Sequence, residues 1–573
     1  MQQRGGGFPL RIAWAIPAAA LLTLALGIWG WSGRHLPLDE ALYRSIALFE
    51  IDNDTYSHGL ALLDWRFRVG RWTGAGVVFS GLVALGALLR QHLATALARW
   101  TKQAVVVIGA DAVAVAAFER ARRGRRSALW LGAPGFDSAS FTAIALAWPP
   151  SDRARAVFDH AGGADHVLIA AEKDAEALAF ARSARAAAPG ARITVLMRDV
   201  RLAEDAAAAL NDARTRVLSR AALAARALAL AHSPFRIARD LGHARIHALI
   251  VGFGQTGQAI ARDLIVNCRT TYLDLPRLTI VDPAAGALEG VLRVRAPEID
   301  ACAQIRCIEG EIGGLAVRPG PEALAAAVAE AGPITAAYVC LATDTEALAA
   351  VSVLQSLLRA LDLEAPPIFV RLGEASPIAA PAGDRGPGAP TAFGDLATIL
   401  EASEFLADAP DAAARDFNEA YRASLAPERR DDPLNRSARP WDGLDETYRQ
   451  ANRDAVAHVP AKLASAGVDP ARWTGLAAGL PRLAPGERLY RTAAELEALA
   501  ELEHERWLAQ RRMDGWRRTP TAAKDEARRL HPSLIPYAEL SEALKEFDRV
   551  YVRQTERACG GPGGARPELQ NGT

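Results

Sequence analysis

Residues 248–260 read Ala248-Leu249-Ile250-Val251-Gly252-Phe253-Gly254-Gln255-Thr256-Gly257-Gln258-Ala259-Ile260. Four consecutive apolar residues suit a strand buried on both faces. The glycines then fall at GxGxxG spacing, and Gln258 to Ile265 continues as a predicted helix. The first glycine allows a tight turn, the second lets a pyrophosphate approach the backbone, and the third lets helix and strand pack closely. The next predicted strand, Arg277 to Val281, ends at Asp282, the place of an acid that accepts a ribose hydroxyl. Gly252, Gly254, Gly257 and Asp282 are therefore the candidate cofactor-binding residues, for NAD(H) or another adenine nucleotide. The alternative is a dinucleotide fold that keeps its glycines for turn geometry alone. Later strands are predicted at Ala337 to Ala342, ending in Thr343-Asp344, and at Ile368 to Leu372.

A second strand–loop–helix pattern lies upstream. Ala104 to Ile108 is apolar and runs into Gly109-Ala110-Asp111-Ala112-Val113-Ala114. Only the first glycine is present, so a β-carbon crowds the pyrophosphate position. No acid ends the next strand, Ala128 to Leu131. This unit reads as degenerate and structural, with further strands at Asp165 to Ala170 and Arg192 to Leu196.

The chain has 573 residues, 50% apolar and 23% charged, enough for several packed domains. Lys+Arg and Asp+Glu are both 66, so no net charge draws it to nucleic acid. The five cysteines, Cys268, Cys302, Cys307, Cys340 and Cys559, include no CxxC pair. That pattern argues against a disulfide framework or zinc ribbon and suits a reducing compartment. No metal-ligand spacing and no catalytic constellation is recognisable.

Ile12 to Trp31 carries no charge and has the length of a membrane-spanning helix, bracketed by Arg11 and Arg34. A second apolar segment runs from Trp72 to Leu89, with Gly76, Ser80 and Ala84 on one small-residue stripe. Two transmembrane helices, about 12–31 and 72–89, are therefore expected. Between them, Pro37 to Glu50 has amphipathic helical spacing. No TVGYG-type potassium filter occurs, the nearest stretch being Asp54-Thr55-Tyr56-Ser57-His58-Gly59.

After a Pro/Gly-rich linker, the C-terminal part repeats weakly. Pro440-Trp441-x-x-Leu444-x-Glu446 to Arg453 matches Pro536-Tyr537-x-x-Leu540-x-Glu542 to Arg549 at the same spacing. Upstream, Asn418-Glu419-Ala420-Tyr421 aligns with His504-Glu505-Arg506-Trp507. A duplicated helical unit suggests two halves packed about a pseudo-symmetric interface. Trp507, Trp516, Tyr537, Trp441 and Tyr421 suit either a small core or an aromatic cage for a flat base, with Arg511, Arg517 and Arg518 near for phosphate.

Two resemblances follow. The tandem Rossmann units from Gln103 to Gly373 resemble the potassium-conductance-regulator family (RCK or KTN, TrkA N-terminal type), on Gly252, Gly254, Gly257, Asp282 and the stretch Ala170-Ala171-Glu172-Lys173-Asp174 to Arg198. That resemblance implies a cytoplasmic sensor of NAD(H), an adenine nucleotide or an ion, which dimerises and gates a pore or transporter. Leu496 to Arg553 resembles the ryanodine-receptor repeat (RyR) domain, on His504-Glu505-x-Trp507, Asp514-Gly515-Trp516, Lys524-Asp525, His531-Pro532-Ser533-Leu534, Pro536-Tyr537-x-x-Leu540 and Lys545. It implies a small-ligand pocket, with Trp507, Trp516, His504, Tyr537, Trp441, Tyr421 and Arg511 as candidate ligand-binding residues.

The expected fold class is a membrane protein: two transmembrane helices, then α/β tandem Rossmann-like domains, then a mainly α-helical paired RyR-repeat domain. The expected domains are a membrane domain (1–102), a degenerate Rossmann-like domain (103–243), a second Rossmann domain (244–374), a linker (375–405), the paired RyR repeat (406–560) and a disordered tail (561–573). The expected function is a membrane-anchored nucleotide sensor acting as a ligand-gated channel or channel-like effector, and not an enzyme. The alternatives are a regulatory subunit of a separate cation transporter and a membrane-tethered NAD-dependent oxidoreductase. Expected partners are a second copy (dimer or tetramer), membrane lipid and a small-molecule nucleotide, without nucleic acid. The expected location is the inner membrane, multi-pass, with both termini cytoplasmic.

Overall fold

The structure is a computed structural model that describes residues 10–49, 64–100, 104–132, 143–145, 164–313, 316–318, 321–373, 376, 389–407, 409–468, 480–521 and 523–560. It divides into two compact units, residues 1–106 with 127–163, and residues 107–126 with 164–573.

In the first unit, helices α1 (Leu10–Ser32), α2 (Leu38–Ile46) and α3 (Trp65–Trp100) pack together. Strand β1 (Val105–Ile108) begins here, and β2 (Ala128–Gly132) pairs in parallel with β3 (Ala143–Ala145). The helix contacts run through small residues. A β-carbon on Gly27 would meet Ser45 Oγ at 2.5 Å, and one on Gly30 would meet the Phe67 ring at 2.6 Å. Thr23 and Thr73 hydroxyls share a 2.7 Å hydrogen bond. Trp31, Ala41, Leu48 and Phe67 form a small buried cluster.

These helices correct the expected fold class and location. Among the described residues no helix is long and apolar enough to cross a membrane. The transmembrane expectation and the multi-pass inner-membrane location are therefore set aside, as is a pore formed by this chain's own spans. The physical reason lies in the packing. Freedom from charge over about 20 residues does not by itself make a span, and Thr23, Gly27 and Gly30 of α1 serve helix–helix contact within the unit. The expected small-residue stripe is not the contact face either: Gly76 has open space beside it, and Ser80 Oγ bonds back to Gly76 O at 2.7 Å. The stretch Asp54 to Gly59 and the tail 561–573 lie outside the described residues.

The second unit contains α4 (Ala112–Arg123), β4 (His166–Ile169), α5 (Asp174–Ala187), β5 (Arg192–Met197), α6 (Val200–Leu210), β6 (Thr215–Ser219) and α7 (Arg220–Ala231). Strands β4, β5 and β6 pair in parallel, and Ala170 N donates to Ile108 O at 2.9 Å. A six-stranded sheet follows. Its strands are β7 (Arg245–Val251), β8 (Asp274–Asp282), β9 (Gln304–Glu309), β12 (Ala336–Val339), β13 (Ile368–Arg371) and β14 (Pro390–Phe393). A small hairpin of β10 (Glu311–Gly313) and β11 (Ala316–Arg318) sits between β9 and β12 in the chain. The six strands are parallel in the order β9-β8-β7-β12-β13-β14. Their continuous apolar runs bury both faces: Ala248, Ile250, Leu278 and Ile280 pack on one side, Leu249, Val251, Ala337 and Val339 on the other. Helices α8 (Gln255–Asn267) and α9 (Asp344–Ala360) follow β7 and β12. Strand order reverses between β7 and β12, the place where open α/β sheets bind ligands beyond their strand ends.

The C-terminal module is helical, built from α10 (Ala412–Ser424), α11 (Glu446–Ala457), α12 (Val459–Ser465), α13 (Ala493–Met513) and α14 (Glu542–Ala558). The sequence repeat is a structural repeat. His504 Nε2 donates to Ile535 O at 2.9 Å, and in the matching place Asn418 Nδ2 donates to Arg439 O at 3.2 Å. Arg453 bonds Glu446 at 2.6 Å as Arg549 bonds Glu542 at 2.7 Å. Each copy's first helix packs on α14, and α13 also packs on α11, so the two copies share one interior. That interior holds charges. Glu503 takes Lys462 and Arg506, each at 2.7 Å. Burial alone would raise the Glu503 carboxyl, but Arg506 and Lys462 hold it well below its ordinary value.

Candidate functional site

The glycine loop leaves β7 at Gly252, whose φ of +88° is a left-handed conformation that glycine adopts without strain. A β-carbon there would lie 2.7 Å from Cys340 O, and one on Gly257 would lie 2.3 Å from Gly252 O. These two glycines are required by the packing of loop, strand and helix. Gly254 differs: it caps α8 with φ −69°, and nothing lies within 4 Å of where its β-carbon would be. Asp282, at the end of β8, closes the other side. Its Oδ2 accepts Phe253 N at 2.7 Å and its Oδ1 accepts Ala284 N at 2.8 Å. Each oxygen keeps a further lone pair for a ribose hydroxyl.

Gly252, Gly254 and Asp282 line a cavity of about 1080 Å³ beyond the ends of the sheet strands. That is slightly above the range of small-ligand sites, about 300–1,000 Å³. Glu311, Glu346, Arg371 and Cys340 also line it, as do Arg198, Arg220, Ala221 and Ala224 from the preceding Rossmann-like unit. Burial pushes the Cys340 thiol up to about 12, against the opposing effect of Arg371, so it presents a neutral thiol to the cavity. Gln255 fixes the loop to the segment between β5 and α6: its Nε2 donates to Asp199 Oδ2 at 2.9 Å and its Oε1 accepts Val200 N at 2.8 Å.

The second candidate set lies in the helical module. Arg511, only 5% exposed, sits 5.4, 5.5 and 5.9 Å from the ring centres of Trp516, Tyr448 and Trp507. Its hydrogen-bond partner among the described residues is Thr447 Oγ1 at 3.4 Å, and its Nε has none. Burial lowers its pKa. Lys524 Nζ lies over the Tyr448 and Trp516 rings at 4.8 and 5.1 Å and pairs with Glu526 at 3.0 Å. Burial, with Lys524 and Arg511 near, brings His531 down to about 3. Its ring meets Trp507 and Trp516 edge-on.

Of the seven predicted ligand residues, Trp507, Trp516 and Arg511 come together. His504 stacks on Trp507 and pairs with Asp548 at 3.2 Å; burial alone would lower its pKa, but Asp548 raises it. Tyr537 lies behind His504 and donates to Glu497 at 2.8 Å. Trp441 and Tyr421 sit elsewhere. Trp441 is buried against Ala414, Leu444 and Tyr448, and Tyr421 packs on Phe547 and Tyr551. The sequence analysis does not single out Thr447, Tyr448 and Lys524 as neighbours of Arg511, nor Arg198, Arg220 and Arg371 as cavity residues. The arginines carry no local signal among so many others. Tyr448 had one: it belongs to the copy opposite Trp507.

Helix α8 joins the two places. Its N-terminus faces the cavity, and two turns on Arg262 pairs with Asp454 at 3.1 Å and Asp514 at 3.5 Å, next to Gly515 and Trp516. Those two carboxylates raise the Arg262 pKa against its burial. Arg269 and Arg512 add ion pairs to Glu505 and Glu298.

The RyR domain family matches residues 490–561, the second copy of the repeat. No curated protein matches the chain. Among solved structures, "Crystal structure of the GsuK bound to ADP" is 13% identical with a TM-score of 0.30, covering 63% of this chain and 88% of that chain. "GsuK Channel" is likewise 13% identical at 0.30, with the same shares of the two chains. At those values the likeness carries no argument about this protein, whereas the segment from 490 to 561 is similar to RyR domains in sequence.

Proposed function

We propose that this chain is a nucleotide-responsive regulatory protein. An adenine nucleotide or NAD(H) binds at Gly252–Gly257 and Asp282, and occupancy is passed along α8 to the RyR-like module. The observation that carries this reading is Gly254, which sits at the head of α8 with open space beside it, facing a cavity of about 1080 Å³. Backbone N–H groups at a helix start favour a phosphate there. For ligand to act as a signal, its binding energy must differ between two arrangements; the Arg262 ion pairs are where α8 would transmit that difference. The resemblance to conductance-regulator domains gives the class of target, an ion channel or transporter supplied by another chain. It also supports assembly of two or more copies, measurable by light scattering.

Calorimetric binding of NADH, NAD⁺, ADP and ATP to the purified chain tests the reading, beside Gly254→Val. Binding by the wild type with loss in Gly254→Val at unchanged thermal stability is expected. Absence of binding for every nucleotide, or full binding by Gly254→Val, would overturn it.

A further inference from the structure

Helix α3 carries two opposite faces. On one, Phe67, Gly70 and Gly74 are buried against Thr23, Gly30 and Trp31 of α1 and against Leu48. On the other, Trp65, Trp72 and Phe79 recur every seven residues, and Val69, Gly76 and Val83 each follow by four. All six are exposed, Trp72 by 80% and Phe79 by 70%, and nothing lies within 4 Å of where a β-carbon on Gly76 would be. Uncharged residues spaced alternately by four and three form the seam along which one helix packs on another. This seam rises about 27 Å, at about 1.5 Å per residue.

Its size is that of an interface. The largest apolar patch on a typical monomer is about 300–600 Å². The three aromatic rings alone present roughly 400–500 Å². With Val69, Leu82 and Val83, also exposed, the face approaches the roughly 800 Å² that each partner gives to a stable complex.

The order of the residues names the occupant. Positions 65 and 83, 69 and 79, and 72 and 76 are each equidistant from residue 74. Two α3 helices laid antiparallel about that point set Trp65 on Val83, Val69 on Phe79 and Trp72 on Gly76, each layer made twice. Every layer places one ring against a smaller residue, the alternation that fills a core. A parallel pair would crowd Trp72 on Trp72 and leave a void between the two Gly76. It would also bring the two exposed Arg68 side chains level, whereas the antiparallel pair holds them at opposite ends. A face that complements itself about a two-fold axis suits a second copy. We propose that the Trp65–Val83 face of α3 is an interface with a second copy of this chain, packed antiparallel on the same face. This goes beyond the nucleotide reading and does not depend on it.

The experiment is light scattering of the full chain over a dilution series, with Val69→Lys, Phe79→Glu, the double variant and Leu434→Glu. Wild type should scatter as two copies. Val69→Lys and Phe79→Glu should each halve the mass at the same concentration, while folding is unchanged because both positions are exposed. The double variant should restore the dimer, since the antiparallel layer sets each lysine on a glutamate of the other copy. Leu434→Glu, on an equally exposed residue of the helical module, should leave the mass unchanged. A monomeric wild type, masses that keep growing with concentration, single variants that stay dimeric, or a double variant that stays monomeric would each overturn the proposal. So would wild type that co-sediments with phosphatidylcholine vesicles instead of pairing, since lipid would then cover the face. Nucleotide calorimetry on Phe79→Glu separates the two readings, because binding there should match wild type whichever way the scattering falls.

Discussion

Two loops of the same design differ at one residue, and only the second of them lines the cavity. Gly109-Ala110-Asp111 and Gly252-Phe253-Gly254 leave their strands with the same left-handed first glycine. In one, the third residue is a carboxylate that caps its own helix and takes an arginine; in the other it is a glycine with open space beside it. The turn is conserved in geometry while the anion site is filled from within in one copy and left accessible in the other. A Rossmann-like fold therefore needs its first glycine for packing, and the second glycine only for a ligand.

The sharpest way to break this comparison is to add a methyl group at each glycine. Gly109→Ala and Gly257→Ala should each cost more than about 3 kcal/mol, because the β-carbon meets backbone oxygen that cannot yield, and at Gly109 the left-handed φ adds strain. Gly254→Ala should leave urea stability within about 0.5 kcal/mol. Equal losses at all three positions would erase the distinction. For binding, Gly254→Val should weaken a phosphate-bearing nucleotide roughly hundredfold in calorimetry, the equivalent of two charged hydrogen bonds. Asp282→Asn should weaken NAD(H) about tenfold and narrow its preference over the 2′-phosphorylated dinucleotide, because the negative charge that disfavours that phosphate is gone.

The two halves of the helical module offer a second comparison, in pH. The second copy has His504 where the first has Asn418, and it adds His531. Burial lowers His458 to about 4 and His531 to about 3. Below about 6.5 the unfolded chain binds protons that these two folded residues refuse. Stability should therefore fall as pH drops from about 6.5 toward 4. His504, raised by Asp548, acts in the opposite sense and offsets part of this. Urea midpoints at pH 7.5 and 5 should show a smaller drop in His531→Asn than in wild type; an identical drop would remove His531 from the account.

The smallest effect concerns matching caps. Asp174 accepts Arg198 N and Asp199 N at 2.9 and 2.8 Å, and Asp344 accepts Gly373 N at 2.6 Å. Asp174→Ala should cost about 1–2 kcal/mol in urea unfolding and Asp344→Ala less, since two backbone donors are orphaned in the first and one in the second.

Much of this was legible in residue order. The apolar run at Ala248 to Val251, the glycine spacing and Asp282 are local, and each fell where the reading placed it. The helical repeat was legible for the same reason, since Pro440 and Pro536 carry the same turn into the same helix start. The membrane expectation is overturned because a charge-free apolar stretch does not by itself specify a span: Thr23, Gly27 and Gly30 meet α2 and α3 instead. The aromatic cage was half legible, since Trp507 and Trp516 converge but Trp441 and Tyr421 belong to other packing clusters.

The sequence by itself determined the strands, the turns and the difference between Asp111 and Gly254, because backbone conformation and capping depend on neighbours within a few residues. Only the tertiary structure decided that Arg198 and Arg220 stand in the wall of the cavity beside the second six-stranded sheet, and that Tyr448 of one repeat lies under Arg511 of the other. Those meetings join residues distant in the chain, and they are set by how sheets and helices pack, which no local pattern records.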